Sequence, residues 1–144
     1  DLCALAIGGR LIVVDEDEVI VRLEPEGRAY AQHLGLELAI GAKLSSQDRQ
    51  RIGDHMAALL ASALGLDVPD EDIAGLYLTQ PLRNLAKVDE ILLSGGVAEF
   101  FYQRETKDFG DLGFFLAQAL RVIFEVQGLP WTLLPAPSPP SPAA

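Results

Sequence analysis

Three apolar residues, Ile91, Leu92 and Leu93, run into Ser94 and the pair Gly95-Gly96, and a helical pattern begins at once over residues 97–102. A strand at residues 90–94 that turns within two glycines into a helix fits an α/β layer and excludes an all-helical bundle or an all-β sandwich. The pair admits two explanations. Glycine lets backbone approach a ligand closely while the helix start offers free N–H groups to an acceptor, and a tight strand-to-helix turn needs glycine for steric reasons alone. An earlier pair, Gly8-Gly9, followed by Arg10, is equally open to reading as a bulge or a strand kink.

The remaining pattern supports the same fold class. Residues 2–7 are apolar and short, as in a strand buried on both faces. Residues 11–14 and 19–23 read as two strands joined by the acidic tetrad Asp15-Glu16-Asp17-Glu18, a hairpin that Pro25-Glu26-Gly27 ends. Residues 28–42 carry no single pattern, with room for a short helix before His33-Leu34-Gly35. Ser45 is placed to cap a helix, with Asp48 three residues on. Ile52, Met56, Leu59, Leu60 and Ala63 follow at helical spacing to a stop at Gly65. The face formed by Ile52, Met56 and Leu59 is expected in the core. A short helix at 71–75 and a strand at 76–79 are expected next. Residues 112–126 form a second long helix, apolar nearly all round and so expected between other elements, and 131–134 a last strand. Five of the nine prolines fall in the last ten residues, a composition that suits an extended tail rather than a packed element.

Composition narrows the function classes. With 11 Lys and Arg against 21 Asp and Glu the net charge is −10, which disfavours nucleic acid and anionic membranes because neutralising phosphates takes a basic surface. No apolar run reaches the ~20 residues of a membrane span, and the start lacks a signal-peptide pattern. A single cysteine, Cys3, permits no intrachain disulfide, which fits a reducing, cytoplasmic setting. His33 and His55 are far apart in sequence and are expected at the surface or locally satisfied, and the acidic tetrad reads more plainly as a solvated turn than as a cation site. No nucleophile with a base, paired carboxylate or metal cage announces itself. The chain opens on Asp1 in an apolar stretch, as expected for a piece of something longer.

The segment ILLSGGVAEFF, residues 91–101, resembles the adenosine motif of the actin-like ATPase superfamily. Together with AIGGRLI at 6–12, LYLTQPL at 76–82 and DFGDLGFFLAQALR at 108–121, in that order, it is similar to one family within it, the ethanolamine ammonia-lyase reactivating factors, EutA. The resemblance covers residues 1–134 as a C-terminal lobe and leaves 135–144 as a Pro-rich tail. It implies a ribonuclease H-like α/β lobe in which a mixed sheet, begun by the hairpin and extended by the strand at 90–94, is covered by flanking helices. The helix from Ser46 would form the lobe's smaller insertion.

The resemblance also implies a site. Gly8 and Gly9 would lie near ribose and phosphates. Ser94, Gly95, Gly96, Val97 and Glu99 would line the nucleotide, with the glycine backbones under the base, and Asp111 would approach the base, although Asp is also a good helix cap on local grounds. The family's phosphate loops, with their catalytic carboxylates and magnesium site, are not reproduced in this chain. An adenosine-side half-site is therefore expected, without hydrolysis of its own or a tightly held cofactor. The whole protein would use ATP and magnesium to change its grip on ethanolamine ammonia-lyase, so that inactive cobalamin leaves and adenosylcobalamin enters. Two other functions remain open: a structural or interaction module that dimerises through an exposed sheet edge, and half of a small-molecule kinase of the same superfamily.

Overall fold

β-branched residues on either side of the acidic tetrad build the expected hairpin. In the computed structural model, which describes residues 7–65, 90–93, 96–102, 107–127 and 132–133, β1 (Ile12–Val14) pairs antiparallel with β2 (Ile20–Leu23). Ile12 faces Leu23 and Val14 faces Ile20, with a register shift that leaves Val21 as the extra, exposed residue of a bulge. The Asp15 carboxylate closes the turn by accepting from the N–H groups of Asp17 at 2.8 Å and Val19 at 3.0 Å. The tetrad is thus a self-bonded turn, as the sequence suggests.

Neither hairpin edge is bare. Val14 N–H donates to the Gly110 carbonyl at 2.6 Å on the β1 side. On the β2 side, Ile20 exchanges hydrogen bonds with Gly41 and Ala42, and Val19 bridges to Lys43. The chain's own loops therefore satisfy edge groups of Val14 and Ile20.

Helix α1 (Pro25–His33) starts where the sequence reading placed a break. Proline lacks only an N–H that the first helical turn leaves unpaired, so Pro25, just past the hairpin's end at Leu23, also opens the short helix that the sequence left room for before His33. Gly27 is needed there because a Cβ would lie 2.7 Å from both Ile12 Cγ1 and the Leu11 carbonyl oxygen. Helix α2 (Ser46–Ala63) matches expectation at both ends: the Ser45 hydroxyl accepts from Asp48 N–H at 3.1 Å, and Gly65, at φ +78°, follows the last turn. Ser45→Ala should lower stability by about 1 kcal/mol in urea denaturation, because it orphans that N–H.

Strand β3 (Glu90–Ile91) is shorter than expected, and α3 (Gly96–Phe101) follows it. Helix α4 (Gly113–Gln127) comes next, and β4 (Thr132–Leu133) pairs parallel with β3, placing Glu90 opposite Thr132. Among the described residues the hairpin and the β3–β4 pair are two separate sheets, not neighbours in one mixed sheet. Helix α4 packs between α2 and α3, although Val122 and Val126 remain exposed. Helix α2 lies along α4 at the centre of the core and does not stand apart as an insertion. Ile12, Ile20, Tyr30, Leu44, Ile52, Met56, Leu112 and Leu120 are the largest fully buried side chains, and Leu59 joins them as expected. The strand expected at 2–7, apart from Ile7, which is not in a strand, the strand at 76–79, the helix at 71–75 and the tail at 135–144 lie outside the described residues.

Candidate functional site

The first glycine pair and the start of α3 meet at the N-terminal end of α4. Gly9 accepts from Leu112 N–H at 2.7 Å through its carbonyl. A Cβ on Gly9 would lie 2.9 Å from Gly113 Cα and 3.7 Å from Val97 Cγ2, so backbone passes backbone here with no room for a side chain. Gly9 is thereby a packing glycine. Gly8, by contrast, faces open space, with nothing among the described residues within 4 Å of a Cβ built on it.

Asp111 sits at the same junction. Its Oδ1 accepts from Gly113 N–H at 2.9 Å, an Asx turn immediately ahead of α4 that fits the local reading of this residue. Phe100 closes over the junction from α3: a Cβ on Gly113 would lie 3.1 Å from its Cε2 and 3.2 Å from Asp111 Oδ1. The Phe100 ring meets Phe109 and Phe114 edge to face, each at 6.1 Å between centroids. Gly9, Val97 and Asp111, three positions singled out from separate stretches of sequence, therefore lie around one point. Glu99 is exposed on α3 and Gly96 opens that helix, whereas Ser94 and Gly95 lie outside the described residues.

Sequence reasoning missed Arg49. Its side chain is 4% exposed and grips Asp108, which is 41% exposed, through both terminal nitrogens at 2.8 Å each. Nη1 also donates to the Asp111 carbonyl at 3.1 Å, and the guanidinium lies 4.9 Å from the centroid of the Phe115 ring. Nε is buried without a hydrogen-bond partner among the described residues. The available signal was a cation three residues before Ile52 and seven before Met56, on the apolar stripe of α2.

The Arg49 hydrogen bonds hold the Asp108 carboxyl below the ordinary carboxylate range, assisted by Gly110 N–H and opposed by partial burial. A depressed folded-state value means this stabilisation is complete above the unfolded value and fades as pH falls through the folded one. Asp108→Asn should therefore flatten the acid limb of stability against pH, read from melting temperatures below the usual carboxylate range.

His33 and His55, distant in sequence, stack at 4.9 Å where α1 meets α2. Tyr30 stands edge-on to His55 at 6.0 Å, and burial, with the charge of Glu26 adding to it, pushes its phenol well above the ordinary range. His55 is buried rather than at the surface. Among the described residues no three His, Cys, Asp or Glu side chains group as metal ligands, and no helix is long and apolar enough to cross a membrane.

The elements so assembled define an α/β protein whose glycine-lined junction brings three chain segments to the start of one helix. A family model described as ethanolamine utilisation protein EutA matches residues 1–134, and the chain belongs to that family. Its setting is accordingly ethanolamine utilisation. No curated protein and no solved structure matches the chain.

Proposed function

We propose that this chain supplies the adenosine side of an ATP site in an actin-like, ribonuclease H-like ATPase lobe. Nucleotide-dependent closure of that lobe on its partner lobe changes affinity for ethanolamine ammonia-lyase in the cytoplasm, so that spent cobalamin exchanges for adenosylcobalamin. The observation that supports this best is the convergence of Gly9, Val97 and Asp111 beside the open face of Gly8. Gly8 offers open backbone beside the filled Gly9–Gly113 contact, as close approach by a flat base requires. Described residues here provide no metal cage, so no step is assigned to magnesium on this chain. A nucleotide acts as a switch only through a difference in its affinity for the open and closed arrangements. Half a site contributes part of that difference, and the partner lobe the rest.

Calorimetry with ATP and magnesium tests the half-site. Binding should be weaker than about 1 µM, roughly −8 kcal/mol, with no turnover; tighter binding together with turnover would overturn it. Gly8→Val separates ligand contact from packing. With nothing near its Cβ, the variant should keep its stability to within about 0.5 kcal/mol while losing most of its nucleotide affinity. Unchanged affinity would favour a structural module instead, for which the packing of Gly9 against Gly113 is the specific support.

A further inference from the structure

We infer that Arg49 is a positioning residue for the nucleotide junction, an inference that rests on the ATP reading above. Arg49 belongs to α2 and reaches the proposed site through the Asp111 backbone, and its three bonds decide where the segment 108–112 lies. Two parallel bonds fix Asp108, and the third fixes the Asp111 carbonyl. From there the segment is tied outwards in both directions. Asp108 Oδ1 accepts from Gly110 N–H at 2.8 Å, and the Gly110 carbonyl accepts from Val14 of β1. Asp111 Oδ1 accepts from Gly113, and Leu112 N–H holds the Gly9 carbonyl. A guanidinium is suited to this because its planar fork sets distance and orientation together, which a point-charge ammonium does not.

Stability alone does not account for the arrangement. An ion pair with one buried partner must offset the desolvation of that charge and so contributes little net stability compared with well-packed apolar side chains, and here the Nε donor has no partner among the described residues. What the pair does provide is a fixed register between α2, β1 and the segment that carries Asp111 and grips Gly9.

The experiment measures ATP–magnesium affinity of the full chain by calorimetry, per folded molecule, for wild type, Asp108→Asn, Arg49→Lys and Asp108→Glu. Asp108→Asn and Arg49→Lys should each bind about tenfold more weakly, with Asp108→Glu within about threefold of wild type because it restores charge to the same fork. A purely structural role would lower the folded fraction and leave affinity per folded molecule unchanged. Wild-type affinity in folded Asp108→Asn or Arg49→Lys would overturn the inference while leaving the nucleotide reading intact. If neither variant folds, the pair is an element of the fold and the inference also falls. No binding by the wild type would remove the nucleotide reading itself, and this inference with it.

Discussion

Gly53→Leu is expected to lower stability by about 3 kcal/mol or more, because the substitution inserts a side chain where α2 and α4 touch backbone to side chain and backbone. A Cβ at this position would lie 2.9 Å from the Phe115 carbonyl carbon and Cβ, and 3.0 Å from Leu116 N. A helix backbone cannot give way as the end of a flexible side chain can, so the helices must separate. Separation would expose Ile52, Met56, Leu116 and Leu120, which are fully or almost fully buried. Even alanine should be harmful. Its better helix propensity, worth ~1 kcal/mol over glycine, is opposed by overlap of comparable or greater size. Urea denaturation midpoints measure both effects, and a stabilised Gly53→Ala would show that the helices move apart freely.

Asp108→Ala should cost about 3 kcal/mol and Arg49→Met only about 1, although they break the same pair. Removing the carboxylate strands a guanidinium that is 4% exposed, with the Asp111 carbonyl as its remaining anchor. Removing the guanidinium leaves a carboxylate that is 41% exposed and able to hydrate, while methionine still covers Phe115. The asymmetry follows from which partner water can reach. Arg49→Met/Asp108→Ala should therefore resemble Arg49→Met alone, giving a coupling of about 3 kcal/mol in a double-mutant cycle. Equal single-variant losses would contradict this account of burial.

Local chemistry made much of the fold legible. Ser45, Asp48 and Gly65 mark the ends of α2 because caps depend on groups within a few residues, and the alternation around Asp15 marks the hairpin. Pro25 follows the end of the hairpin as its sequence suggests, but proline both ends strands and opens helices, so the start of α1 there is not legible locally. Its role here is tied to the packing of Gly27 under β1, a tertiary contact. The pairing of β3 with β4, and not with the hairpin among the described residues, is likewise a long-range choice that strand propensity does not encode.

At the site, sequence motifs located Gly9, Val97 and Asp111, which do lie together, but gave no hint that Gly9 is filled by Gly113 while Gly8 stays open. Arg49 carried a faint signal as a charge on an apolar stripe, and its partner, distant in the chain, carried none. His33 and His55 are far apart in sequence, and nothing local foretells that α1 lies against α2 so that they stack.

Titrating the isotope-labelled chain with adenosine and following its backbone amides by NMR addresses the central claim most directly. The account predicts saturable shifts concentrated at Gly8, Val97, Glu99 and Asp111, with the turn at Asp15 to Glu18 unmoved. Shifts confined to other surfaces, or none at adenosine concentrations in the millimolar range, would contradict it.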